Sequence, residues 1–271
     1  MRQHHYSVIP IVLLIASRGW AQSLPLNPPF FTAAGIVQGA TQTAQTLAPN
    51  TIATIYGTNL SWTTHILTAA DLNGGTLPRS LDGVSVYVHN IASNLLYVSP
   101  NQINFLIPYE LTVTSAEVLV ARQGIAGPMG PNGLPSVKIQ LATTAPGFFQ
   151  WNGNFAVAEH ANGSLIAATA PAQAGETIVL YAAGLGRTVP DSSSGVLPTG
   201  AATILYASQM QILLNGSPLP AGSIRYAGVT PGFAGLYQIN VVLPGVLPPN
   251  PQIQVVIGTE ASPPDIQLLA N

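Results

Sequence analysis

The sequence has no cysteine, a single lysine (Lys138) and few charged side chains of any kind, 7 basic and 9 acidic among 271 residues. Each scarcity excludes something. Without cysteine there is no disulfide, no thiolate metal site, no cysteine nucleophile and no lipid attachment through an N-terminal cysteine. Charged residues make up 6% of the chain, against about 25% in an average soluble protein, too few for the polar faces of a coiled coil or helical bundle. A formal charge of −2 supplies no basic face for nucleic acid. Stretches free of both glycine and proline are short, the longest being 58–73 and 84–99. What the chain does have is 47% hydrophobic residues with 26 glycines and 24 prolines. That is too much apolar material for disorder and too many turn formers for long helices. A β-rich, turn-rich protein with a sizeable core remains.

The first 21 residues read as an export signal. A short polar head containing Arg2 precedes the apolar run Val-Ile-Pro-Ile-Val-Leu-Leu-Ile-Ala at 8–16, and Gly19 and Ala21 place small residues before a cleavage point after Ala21. Nine apolar residues reach about 14 Å, roughly half a bilayer core, so the run is too short to span. Cleavage would remove Arg2 and Arg18 and leave a mature chain from Gln22. The C-terminal Ile266-Gln-Leu-Leu-Ala-Asn271 has neither an apolar tail nor a basic stop. We therefore expect a secreted, periplasmic or envelope protein with no membrane span in the mature chain, and bacterial because it is exported without disulfides.

Period-two alternation recurs through the rest, as half-buried strands require. It is clear in Val84-Ser-Val-Tyr-Val88, in Val137-Lys-Ile-Gln-Leu141, and at Ile253, Val255 and Ile257. Asn73-Gly74-Gly75, Asp82-Gly83, Asn162-Gly163 and Asn215-Gly216 mark tight turns. The pattern also repeats. Thr51-Ile-Ala-Thr-Ile-Tyr-Gly57 resembles Thr177-Ile-Val-Leu-Tyr-Ala-Ala-Gly184, and Gln102-Ile-Asn-Phe-Leu-Ile-Pro108 resembles Gln238-Ile-Asn-Val-Val-Leu-Pro244. Each copy continues to a strand ending at glycine, Gly124 or Gly258, and closes with a further strand, 137–141 or 265–269. The expectation is an all-β protein of two tandem immunoglobulin-like antiparallel β-sandwich domains after a signal peptide: 1–21 signal, 22–147 first sandwich, 148–271 second.

The Gly57-Thr-Asn-Leu60 strand end, Leu96–Asn104 (Leu-Tyr-Val-Ser-Pro-Asn-Gln-Ile-Asn), Ala145-Pro-Gly-Phe-Phe149 and the Tyr226–Val241 segment with its Pro-Gly and Gln-Ile-Asn motifs together resemble the Solibacter-type uncharacterised C-terminal domain of exported acidobacterial proteins. The first half also resembles IPT/TIG immunoglobulin-like domains, whose early strand ends in a Gly-x-Asn-Leu turn. The resemblance covers nearly the whole mature chain. It implies secretion and sandwich modules often appended to other domains, and it brings no activity with it. Here the pair follows the export signal directly.

Candidate chemistry is sparse. His65, His89 and His160 are isolated from one another, whereas a metal site needs clustered ligands. Glu159 and His160 are neighbours on a strand and should face opposite ways. Asp191-Ser-Ser-Ser-Gly195 has one carboxylate, too few for calcium. No Gly-x-Ser-x-Gly nucleophile turn occurs. Neither a catalytic set nor a cofactor is expected, although an enzyme gathering Glu159, His160 and Asp191 into one cleft is a rival reading. Gln102, Asn104, Gln238 and Asn240 should face outward, opposite Ile103 and Ile239. Their amides either brace the neighbouring loops through backbone, which we favour because both copies carry them, or bind sugar or peptide. Phe148, Phe149, Trp151 and Phe155 cluster at the boundary as a wedge between sandwiches or a stacking platform for glycans, and Trp62 is a second exposed aromatic. The function expected is a non-catalytic binding or structural surface module. Its partner would be a polysaccharide or another envelope protein, the latter including strand addition at an open sheet edge.

Overall fold

The computed structural model describes residues 27–131, 133, 135–192 and 195–271; the expected export signal lies outside them. The described chain is strands and turns, with three short 3-10 turns as its helical elements. The first half contributes β1 (Phe30–Gln38), β2 (Ile52–Thr58), β3 (His65–Ile66), β4 (Val84–Val88), β5 (Leu95–Val98), β6 (Gln102–Leu106), β7 (Ser115–Arg122) and β8 (Val137–Gln140). The second contributes β9 (Ala158–His160), β10 (Thr177–Ala183), β11 (Thr203–Ile204), β12 (Met210–Leu214), β13 (Ile224–Val229), β14 (Tyr237–Val242) and β15 (Ile253–Ile257). All the ladders between these strands are antiparallel.

The two halves share a topology. In the first, one sheet runs β1-β2-β6-β5-β3 and the other β8-β7-β4. In the second, β9-β10-β14-β13-β11 form one sheet and β12-β15 the centre of the other. The strand β2 corresponds to β10, β4 to β12, β5 to β13, β6 to β14 and β7 to β15. Alternation builds each core, as the sequence predicts. Val84, Val86, Val88, Val118 and Val120 point inward from one sheet and meet Ile55, Ile103 and Phe105 from the other, all fully buried. Such close packing of large side chains removes the apolar surface whose burial drives folding. The second core is built alike from Ile178, Leu180, Ile239 and Val241 against Ile212, Ile253 and Val255. The first core draws on residues from Phe31 to Leu141 and the second on residues from Phe148 to Ala270.

Two details depart from expectation. Matching Gly57 to Gly184 is two residues out of register: Tyr56 pairs with Gln102 as Tyr181 pairs with Gln238, so Tyr56 matches Tyr181. Asn59 then matches Gly184. Both have positive φ, 57° and 75°, a conformation that asparagine and glycine adopt most readily. The expected strand at 265–269 is also absent as a continuous ladder. Gln267 makes isolated bridges to Phe155 and Gln252 instead, because Pro263 and Pro264 just before it break the run.

Candidate binding face

One face of each sheet looks away from its core, and the strand period decides which residues it carries. On the first sheet these are Thr54, Tyr56 and Thr58 of β2, Gln102 and Asn104 of β6, Tyr97 of β5, Phe30 of β1 and Ile66 of β3. Tyr56 sits opposite Gln102 and Thr54 opposite Asn104, which in turn faces Tyr97. Phe30 lies opposite Thr58. Strand spacing and rise put Tyr56 about 8 Å from Phe30 and about 12 Å from Tyr97, a diagonal row longer than one sugar ring. Phe30 is 57% exposed, Tyr56 43% and Ile66 69%. One end of the face is covered: Ile52, Leu96 and Leu106 pack with Leu77 and with Ala234 from the second half. The other end is open.

The amides on this face do not reach loop backbone. Gln102 donates Nε2–H to Asn104 Oδ1 at 3.0 Å, and Thr54 donates its hydroxyl to the same oxygen at 3.1 Å. Gln238 repeats the bond to Asn240 at 3.1 Å. The expected loop bracing by Gln102, Asn104, Gln238 and Asn240 is therefore replaced by an in-strand pair. Residues two apart on a strand share a face, and their side chains meet before either meets a loop. On the first sheet Asn104 Oδ1 thereby accepts two bonds, which occupies both of its lone pairs.

The second sheet repeats the pattern with Tyr181 opposite Gln238 and Tyr226 opposite Asn240, but its tyrosines are tied down. Tyr181 donates its hydroxyl to Glu159 Oε2 at 2.9 Å, and burial with that carboxylate pushes its pKa up to about 12. Tyr226 lies over Gly228, where a Cβ would strike its ring, and donates its hydroxyl to Val229 O at 2.9 Å. Tyr56 likewise donates its hydroxyl to Gln42 Oε1 at 2.8 Å, but it and Phe30 are exposed where Tyr181 and Tyr226 are half-buried, so the first face presents more open aromatic surface.

The boundary aromatics are distributed otherwise than the wedge requires. Phe148 is fully buried in the second core, whereas Phe149 is half-buried. Trp151 is half-buried with an unpartnered Nε1–H, on a two-residue strand paired to Phe155–Ala156. The halves meet through the apolar patch of Leu77, Leu106 and Ala234 and through polar contacts. Ala145 N–H reaches Gly184 O at 2.8 Å and Asn50 donates to the Tyr237 hydroxyl at 3.1 Å, while Leu77 N–H reaches Gly195 O at 2.9 Å. Trp62 is 51% exposed, with the Arg122 guanidinium 3.6 Å from its ring centroid.

The residues of the rival catalytic reading are scattered. Glu159 bonds Tyr181, His160 bonds Glu176 at 2.8 Å, and Asp191 pairs with Arg187. Among the described residues no three His, Cys, Asp or Glu side chains gather as a metal site needs. The signal that the sequence reading passed over is the pair Tyr56 and Tyr97, each facing one of the noted amides in register.

No protein-family model matches the chain, and no curated protein matches it. Among solved structures it is similar to a surface glycan-binding protein of the Bacteroides ovatus mixed-linkage glucan utilisation locus, in complex with a heptasaccharide, 9% identical over 80% of this chain at a TM-score of 0.30. A surface glycan-binding protein of Prevotella bryantii is 12% identical over 89% at 0.26, and the plexin A4 extracellular region is 12% identical over 83% at 0.25. The chain spans 39% and 42% of the two glycan-binding proteins and 17% of the plexin.

Proposed function

We propose that this chain is an exported module of two tandem immunoglobulin-like domains, 22–147 and 148–271, that binds polysaccharide on the open outer face of its first sheet. In this reading residues 1–21 direct export, and the mature protein works in the cell envelope or outside it. Among the described residues no helix is long and apolar enough to cross a membrane.

One observation carries the reading: two exposed aromatic rings, Phe30 and Tyr56, share a face with the Gln102–Asn104 amide pair. Sugar rings have an apolar face that stacks on aromatics and a rim of hydroxyls that both donate and accept. An uncharged amide does the same, with two donors and a two-lone-pair acceptor. The in-strand bond fixes the amides before ligand arrives, which lowers the ordering cost of binding. Among the described residues named on this face none is ionised, so the ligand class it suits is an uncharged polymer, extended enough to follow the diagonal from Phe30 to Tyr97.

The test is retardation of the purified chain in native gels cast with soluble polysaccharide. Tyr56→Ala and Gln102→Ala should each weaken binding about ten-fold, the scale of a central contact in a recognition surface, with melting temperature little changed. If the wild-type chain migrates unretarded through a panel of uncharged and acidic polysaccharides, the reading is wrong.

A further inference from the structure

The first sandwich holds an arginine where the second does without one. Inward positions along β7 run Ala116, Val118, Val120 and then Arg122, which is 1% exposed. Arg122 lies opposite Val84 in the register, and the corresponding pair in the second half is Met210 opposite Ile257. The same place in the same architecture is thus filled by an aliphatic residue, so the fold does not demand a cation there.

The cation is also oddly accompanied. Its two terminal nitrogens donate to the carbonyls of Asn59 and Asn27, Nε has no partner, and among the described residues no carboxylate pairs with it. Burial pulls its pKa below the ordinary value, yet a guanidinium stays protonated in proteins. An unpaired buried charge is costly. What it gains in return is the Trp62 ring, stacked on it on one side and open to solvent on the other. A cation under an indole is most strongly held when desolvated. An exposed tryptophan without such a clamp would have to be ordered by its ligand, at a cost in side-chain entropy.

Position connects this pair to the face already described. Trp62 comes four residues after Thr58, where the outer row of β2 ends. The same guanidinium grips Asn27, at the root of the arm that presents Phe30. Trp62 and Phe30 are therefore anchored by one side chain.

We propose that Trp62 is the end platform of the binding surface, stacking on a ring of an uncharged polysaccharide, and that Arg122 is the positioning residue that lays it flat. This rests on the reading that the first sheet binds polysaccharide. The experiment uses the chain from Gln22 carrying Trp151→Phe, so that Trp62 is its one tryptophan. The probes are hydroxyethyl cellulose as the uncharged polymer and polygalacturonate as the acidic one. Hydroxyethyl cellulose should retard the chain and shift Trp62 emission, and Trp62→Ala should weaken retardation about ten-fold. Arg122→Ile, which copies the second half, should keep the β-sheet circular dichroism, make Trp62 more readily quenched by acrylamide and weaken binding several-fold. Arg122→Lys should recover part of both.

Failures separate cleanly. If Trp62→Ala is retarded like its parent while Tyr56→Ala is not, the platform is overturned and the sheet face stands. Unchanged quenching and retardation in Arg122→Ile overturn the positioning role. Retardation by polygalacturonate alone overturns the ligand class. No retardation of the parent by either probe overturns the sheet-face reading, and the platform with it.

Discussion

His160 shows how much one side chain's surroundings decide. Its Nδ1 lies 2.8 Å from Glu176 Oε2 and its Nε2 lies 3.1 Å from Ala170 O, so both ring nitrogens face acceptors. Only the doubly protonated ring can donate to both. The hydrogen bond to Glu176 raises the His160 pKa above the ordinary imidazole value, against the opposing pull of burial. The sign follows. The folded protein holds this proton more tightly than the unfolded chain, so the stability gained is fully present below about pH 6.5 and is lost as pH rises through the folded value. Thermal melting should therefore fall as pH climbs above neutrality, by a margin worth under about 1 kcal/mol for a pair partly open to water. His160→Asn or Glu176→Gln should flatten that slope, and an unchanged slope in both would assign the pH dependence elsewhere. Adjacent Glu159 faces the other side of the sheet and reaches Tyr181. That opposition is legible from sequence, because neighbours on a strand diverge. The partners Glu176 and Ala170 are not, because a loop's return path is set by tertiary closure.

At the scale of strands and turns, local chemistry told most. Asp82 and Gly83, Asn215 and Gly216, and the glycines of the Asn73 and Asn162 turns all have positive φ, as their residue types predict. The hairpin between β12 and Ser217–Pro218 turns on Asn215 and Gly216 with φ of 48° and 76°, the mirror-image turn that suits strand twist. Its counterpart after β4 uses His89 and Asn90 at 50° and 64°, a poorer pair for that conformation. Asn90→Gly should stabilise the protein by up to about 1 kcal/mol, and Gly216→Ala should destabilise it by at least as much. Equal melting temperatures for both variants would contradict the turn assignment. The repeat, the inward valines and the outward amides were also readable, since a strand's period is local. The register of the repeat was not: a glycine-to-glycine match looks right by composition, but pairing with Gln102 and Gln238 fixes Tyr56 to Tyr181. Nor was the amide pairing readable, because backbone is the commoner partner of an amide and only the shared face brings Gln102 to Asn104. Arg122 did leave a trace, as a charge falling in the inward phase of an alternating strand.

Across the whole molecule, the halves are joined by the apolar patch around Leu106 and Ala234 and by polar groups that no pattern of hydrophobicity announces. Tyr237 is fully buried on the inward row of β14; its hydroxyl donates to Gly186 O and accepts from Asn50 Nδ2 at 3.1 Å. Burial pushes its pKa well above the ordinary phenol value, so the hydroxyl remains a donor throughout the working range. A phenylalanine would fill the core equally well; the oxygen is what reaches the first half. Gly184 contributes in another way, with backbone so near Ala145 O that a side chain would collide, while Ala145 N–H bonds Gly184 O at 2.8 Å. Farther along, Thr76 and Val196 form an antiparallel bridge, with Leu77 N–H to Gly195 O and Leu197 N–H to Gly75 O. Removing one member of the buried pair strands the other, at a cost of about 1–3 kcal/mol. Tyr237→Phe and Asn50→Ala should each lower stability by that order. The double variant should lose less than the sum, with a coupling near 1 kcal/mol, since both single changes break the same bond. Asn50 lies in the first half and Tyr237 in the second, so this coupling, read from urea unfolding of the four proteins, measures the joint itself. Strict additivity would mean that the bond transmits nothing between the halves, and that the bridge at Thr76 and Val196, the Ala145–Gly184 bond and the apolar patch around Leu106 and Ala234 carry the joint instead.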